Sequence, residues 1–199
     1  MMAWRVVMVA GLVALTATMG MAGGTALTVT VVDMGTGAAL SGAVVAVVSG
    51  EAVTAAGRTN AQGIWNGTAA GSKVTVIATK DLHVTQARVI TLTDAPSALR
   101  FELAQHKQED FKRLGRIVGF ARSGGGAPLG NATLILLKGT TPIGVAQPEN
   151  ATGVYELEWY APGTYTVLAT APNHTSRKLA NQTIAAGESL WLDVTLQPK

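Results

Sequence analysis

Six asparagines occur in this chain, and five begin Asn-x-Thr with a middle residue other than proline: Asn66, Asn131, Asn150, Asn173 and Asn181. At the Ser and Thr content of the chain, about one such motif is expected by chance. The motif is the acceptor for N-glycosylation, a bulky surface modification of exported proteins. Four of the five lie in the second half. Asn60 aligns with Asn150, but Gln62 stands where the motif needs Thr. Glycans on these sites would sheathe the second half and leave most of the first half bare.

Other chemistry is thinner. Glu156 and Glu158 lie two apart, and paired carboxylates can act on a glycosidic bond. In an alternating strand both belong to a solvated face, opposite Tyr155, Leu157 and Trp159. The seven serines form no Gly-x-Ser-x-Gly turn, and the loop from Ser123 to Gly126 lacks the Lys-Ser/Thr of a phosphate cradle. His83 and His174 recur at equivalent positions without a repeated acidic or histidine partner, which reads as two loop histidines. No cysteine is present, excluding disulfides, a catalytic thiol and thiolate metal sites. No catalytic residue, metal ligand or cofactor site is therefore expected, and the chain reads as a non-enzyme. Net charge is +3 with no Lys/Arg run of three, so no nucleic-acid footprint is expected. Among the aromatics, Trp191 falls opposite the apolar series Leu190, Leu192, Val194 and Leu196. It is the candidate exposed aromatic contact, for a protein interface or for stacking on a sugar.

The elements that position these residues are repeated. Ala39 to Val44 returns as Pro128 to Thr133, an offset of 89. Asn60 to Trp65 returns as Asn150 to Tyr155 at 90, and Thr75 to Thr79 returns as Thr166 to Thr170 at 91. Leu99, Phe101 and Leu103 return as Leu192, Val194 and Leu196 at 93. Preserved order with a slowly drifting offset is the mark of a tandem duplication. Within each copy the apolar period is two, as in Leu27, Val29 and Val31, which indicates strands. Val44 to Val48 and Leu134 to Leu137 are apolar throughout, as in strands buried on both sides. Short strands separated by Gly- and Pro-containing turns predict two β-sandwiches of about seven strands each. The expected division is a leader over residues 1–22, a first sandwich over 23–104, a charged linker over 105–114 and a second sandwich over 115–199. Each copy has its own apolar strand set, so residues 115–199 are expected to fold alone.

The leader carries one charge, Arg5, then an apolar run from Val6 to Leu15, then Gly20-Met21-Ala22. This is the pattern of a cleaved secretory signal, with the cut after Ala22 or, alternatively, after Ala26. No later apolar run has spanning length, so no membrane span is expected after cleavage. Five acceptor motifs without a cysteine fit an archaeal surface protein better than a secreted eukaryotic one, where disulfides are common.

The second copy resembles the carboxypeptidase regulatory-like, or transthyretin-like (prealbumin-like), β-sandwich. The residues carrying the resemblance are Gly115 to Gly119, Ala127 to Leu134, Asn150 to Tyr155, and Ala161-Pro162-Gly163-Thr164-Tyr165-Thr166-Val167. The family commonly has Asp where Asn150 stands. The first copy matches more loosely and has Ser72-Lys73-Val74 where the family has Gly-x-Tyr. The resemblance implies an all-β fold of two tandem, seven-stranded Greek-key sandwiches, and it implies little about function.

The expected function is therefore structural: an exported, N-glycosylated cell-surface or extracellular protein serving adhesion, surface-layer association or filament assembly. The rival readings are a carbohydrate- or peptide-binding module and an accessory subunit of a secreted hydrolase. Expected partners are other surface proteins or glycans, or the chain itself. Residues 25–32 are rich in β-branched side chains and uncharged, and could be donated to a neighbour's open sheet edge.

Overall fold

The computed structural model of the chain describes residues 24–199. The leader expected over residues 1–22, with its cleavage signal at Gly20-Met21-Ala22, lies outside the described residues. The described chain is all-β apart from one helical turn, and forms two sandwiches in sequence.

The first sandwich contains β1 (Thr25–Asp33), β2 (Val44–Ser49), β3 (Ala52–Arg58), β4 (Ile64–Ala69), β5 (Lys73–Thr79), β6 (Gln86–Thr91) and β7 (Ser97–Leu103). One sheet runs β4-β1-β7 and the other β3-β2-β5-β6. Strand β1 is the centre of its sheet, antiparallel to β4 and parallel to β7. Within residues 25–32, Leu27 to Thr30 thus already have strand neighbours on both sides, Thr25 and Ala26 pair with β4, and Val31 and Val32 pair with β7. Donating them to another copy would require pulling a central strand out of its sheet.

The second sandwich repeats this plan with β8 (Gly115–Ser123), β9 (Thr133–Lys138), β10 (Thr141–Ala146), β11 (Val154–Tyr160), β12 (Gly163–Thr170), β13 (Arg177–Ile184), β14 (Ser189–Trp191) and β15 (Val194–Leu196). Its sheets are β10-β9-β12-β13 and β11-β8-β14, with β15 continuing alongside β8. Strands β14 and β15 are one interrupted final strand, which keeps the count at seven. The interruption is occupied by Leu192, whose N–H bonds the Val118 carbonyl, and by Asp193, whose carboxylate accepts the Phe120 N–H at 3.0 Å.

Each sandwich has its own apolar centre. Leu27, Val29, Val31, Val45, Val47, Trp65, Val76 and Phe101 fill the first. Ile117, Leu134, Leu136, Tyr155, Leu157, Val167 and Leu196 fill the second. A third cluster belongs to both. Val44, Ala46, Val48 and Ile77 pack with Ile135, Leu137, Val145 and Leu168. Alternation explains this seam: successive residues of β2 and β9 point to opposite faces, one toward the strand's own core and one toward the neighbouring sandwich. Polar contacts surround it. Arg58 donates to the Gln147 carbonyl at 2.8 Å, and Lys178 pairs with Glu51.

The connection between the sandwiches is ordered by packing. It contains one helical turn, α1 (Asp110–Arg113). Phe111 lies 4.5 Å from the Trp159 ring, and His106 approaches both rings at 6.1 and 6.4 Å.

That contact corrects the reading of Trp159. Strict alternation places Trp159 in the core with Tyr155 and Leu157. In the structure β11 carries a bulge between Leu157 and Tyr160, and Trp159 sits at φ +60°. The extra residue reverses the alternation. Tyr160 becomes buried, and Trp159 turns outward onto the linker. The same slip takes Glu158 off the fully solvated face.

Candidate functional site

Three places bring chemistry together: a cleft at the joint between the sandwiches, a buried polar cluster in the first sandwich, and the outer face of the β11-β8-β14 sheet.

The cleft has a volume of about 700 Å³, and Arg58, Asp81, Glu149, Glu156 and Glu158 are among the residues lining it. At the joint, Glu158 Oε2 accepts the backbone N–H of Leu82 at 3.2 Å. Leu82 adopts φ +63°, a left-handed conformation unusual for a bulky residue. That twist lets its N–H reach the second sandwich while its carbonyl accepts the His106 N–H of the linker. Burial, reinforced by the adjoining Glu156 carboxyl and Asp81, pushes the Glu158 carboxyl up to about 7. Glu156 remains exposed and pairs with Arg116 at 3.2 Å. The His106 side chain is 3% exposed, neither ring nitrogen has a hydrogen-bond partner among the described residues, with the Asp110 carboxylate 3.6 Å from Nδ1, and burial pushes its pKa down. The two glutamates thus occupy unlike settings, and the half-buried one ties the halves together.

The polar cluster centres on Asp33, at the end of β1. Its Oδ1 accepts the Thr36 hydroxyl and N–H, each at 2.8 Å, and the Gly35 N–H at 3.0 Å. Its Oδ2 meets His83 Nε2 and Gln105 Nε2, each at 3.1 Å. The Thr36 hydrogen bonds first, then those from His83 and Gln105, hold the Asp33 carboxyl down at about 2 despite its burial. His83 Nδ1 faces the Asp81 carbonyl oxygen at 2.8 Å, so both ring nitrogens face oxygen acceptors. The cluster ties the β1 turn, the β5–β6 loop and the start of the linker together. The Thr36 hydroxyl is engaged by Asp33 itself, so the arrangement does not present it to His83 as a nucleophile. Sequence reasoning missed this cluster because its members are scattered and only the histidine recurs. In the second sandwich Ser123 occupies the equivalent of Asp33, accepting the Ala127 N–H at 3.2 Å, while His174 Nδ1 keeps its contact to Pro172 O at 2.8 Å.

All five acceptor asparagines, Asn66, Asn131, Asn150, Asn173 and Asn181, are exposed. Asn66 lies within β4, with its carboxamide oxygen accepting the Thr28 hydroxyl at 2.9 Å. Asn150 sits in the turn before β11 and at the rim of the cleft. In the matching turn Asn60 uses its carboxamide oxygen to accept the N–H groups of Gln62 and Ile64, each at 3.0 Å. In the second sandwich the Thr152 hydroxyl takes up the Val154 N–H instead, at 3.2 Å. Asn173 and Asn181 both lie at φ +58°, a conformation asparagine tolerates better than most residues.

Trp191 is 59% exposed. It lies beside Val118 of β8, whose other neighbour is Glu156. Its ring meets Phe120 edge-on at 5.6 Å, and the Arg122 guanidinium lies 4.3 Å from the Phe120 ring centre.

Residues 116–197 match the carboxypeptidase regulatory-like domain, covering the second sandwich. No curated protein matches the chain. Solved structures similar to it include the Bacillus anthracis TIE protein, at 16% identity and a TM-score of 0.38, covering 89% of this chain and 34% of that one. This chain therefore spans about a third of that protein's length. The minor pilin of Streptococcus agalactiae is 12% identical with a TM-score of 0.37, covering 88% of this chain and 96% of its own. A mutant shaft pilin of Lactobacillus rhamnosus GG is 11% identical with a TM-score of 0.36, covering 88% and 98%.

Proposed function

With the second sandwich taken as a carboxypeptidase regulatory-like domain, we propose that the chain is an exported, N-glycosylated structural protein of the cell surface or extracellular space. The observation that carries this reading is the exposure of all five Asn-x-Thr asparagines, outside both cores and the seam. A glycan at each can extend into solvent. The start of the first sandwich favours cleavage after Ala22 over cleavage after Ala26. Thr25 and Ala26 already pair with Ala69 and Thr68, and the Thr25 hydroxyl bonds the Thr93 carbonyl at 2.7 Å. The earlier cut leaves these contacts intact. The seam suits a load-bearing spacer in an adhesive or surface-layer assembly, because it couples the two sandwiches side by side. Self-association through residues 25–32 would have to proceed by exchange of a central strand.

The test is intact-mass and N-terminal analysis of protein isolated from the native cell envelope or medium. The expected result is an N-terminus at Gly23, a mass above that of the mature polypeptide, and glycopeptides at three or more of the five sites. Bare polypeptide mass, or retention of Met1 on extracellular material, contradicts it.

A further inference from the structure

We propose that the outer face of the β11-β8-β14 sheet binds an anionic saccharide chain, a polymer whose rings carry carboxylates. The inference goes beyond the structural role and does not rest on glycosylation or export.

The face is built on the central strand. In β8, Ile117, Gly119 and Ala121 are buried, so Arg116, Val118, Phe120 and Arg122 point outward. Trp191 extends the surface beside Val118. At about 3.3 Å per residue, Arg116 to Arg122 span about 20 Å. Two guanidiniums thus bracket an apolar, aromatic centre.

The fold does not require this chemistry, because the duplicated half provides a control. Val118, Glu156 and Trp191 form one cross-strand row of the second sandwich. The corresponding row of the first is Thr28, Asn66 and Ala98. Phe120 likewise corresponds to Thr30. The first sandwich covers the same core with Thr28, Thr30, Asn66, Ala98, Arg100 and Glu102 outward, none of them aromatic, so a large exposed indole is not needed for stability. An exposed indole beside a second aromatic ring, on a face whose counterpart has neither, is open to a partner. The acceptor asparagine also differs: Asn66 stands in the middle of the first face, whereas its counterpart in the second is Glu156.

The free cation selects the ligand. Glu156 pairs with Arg116, its neighbour Glu158 accepts the Leu82 N–H, and Asp193 accepts the Phe120 N–H. Arg122 has no carboxylate partner among the described residues, and its guanidinium lies 4.3 Å from the centre of the Phe120 ring. A guanidinium beside an aromatic ring offers paired N–H donors for a carboxylate next to a flat surface for a sugar ring's C–H face. An extended peptide would instead seek an open sheet edge. One edge of the sheet is divided into two three-residue strands, β14 and β15, and the other, β11, is interrupted by its bulge between Leu157 and Tyr160.

The test uses the full chain and polygalacturonate in affinity electrophoresis and titration calorimetry. Dextran serves as the neutral polysaccharide, and poly-glutamate as the acidic peptide. The expected result is retardation by polygalacturonate, weakened by salt, with little effect of dextran or poly-glutamate. Trp191→Ala and Arg122→Ala each reduce affinity about tenfold or more, whereas Val89→Ala, an exposed site on the first sandwich, leaves it unchanged. Circular dichroism establishes that the variants remain folded. Failure of the wild type to bind polygalacturonate overturns the proposal. Equal binding of dextran overturns the charge assignment. Equal binding of poly-glutamate, insensitive to Trp191→Ala, reduces the face to a non-specific cationic surface and overturns it as well.

Discussion

The two sandwiches share a topology and divide its uses. The first keeps a buried carboxylate: Asp33 collects donors from Gly35, Thr36, His83 and Gln105 and clamps two loops and the linker. The second has Ser123 at that position, and its histidine is held by a single backbone carbonyl. On the outer sheet the contrast runs the other way. Thr28, Thr30, Asn66, Arg100 and Glu102 make the first face polar, while Phe120 and Trp191 make the second aromatic. Duplication held the inward-facing apolar positions, which decide whether a sandwich forms, and left the outward and turn positions free to diverge.

The largest expected effect lies where the halves are alike. Leu134 is fully buried in the second core, and Leu134→Ala should cost about 2–5 kcal/mol by leaving a cavity, measurable by denaturant unfolding. An effect under 1 kcal/mol would mean that the core collapses around the loss.

Next comes the feature that separates the halves. Asp33→Asn should lower the melting temperature, whereas Ser123→Ala should change it little. The carboxyl of Asp33 is lowered from 3.8 to about 2 in the folded chain. The unfolded state therefore binds more protons between those values. The resulting stability is present above pH 3.8 and lost as the pH falls toward 2. Thermal melts across this range should show a shallower acid loss in the Asn variant.

The joint titrates in the opposite sense. Glu158 is raised from 4.5 to about 7, so the folded state holds the extra proton between these values. Its contribution is present below pH 4.5 and lost as the pH rises through 7. Glu158→Gln should flatten that decline and leave the protein more stable than wild type at pH 8, as read by thermal melts.

The smallest effect tests the twist that carries the joint. Leu82 holds the left-handed conformation that Asn173 holds at the equivalent place in the second sandwich. Leu82→Asn keeps the backbone bonds and should stabilise by up to about 1 kcal/mol. Destabilisation would show that the leucine side chain itself supports the joint.

What could be read beforehand follows from physical range. The repeat offsets, the strand period and the apolar runs are local, and they locate the sandwiches. The runs from Val44 to Val48 and from Leu134 to Leu137 announce strands covered on both sides. They do not say that each covers the other, which depends on how two separate sheets dock. Trp191 is outward because its alternation is unbroken. Alternation misplaces Trp159 and Glu158 because a bulge changes the count without a glycine or proline to mark it. The Asp33–His83 pair joins residues fifty positions apart, and no repeat advertises it.

The coupling of the two halves through their apolar seam is tested most directly by differential scanning calorimetry of the full chain beside Leu137→Asp. Leu137 is fully buried between the sandwiches, and a carboxylate there has no partner in the seam. The account predicts one cooperative transition for the wild type, and two transitions at lower temperature for the variant as the sandwiches unfold separately. Two independent transitions in the wild type, unchanged by the substitution, would contradict it.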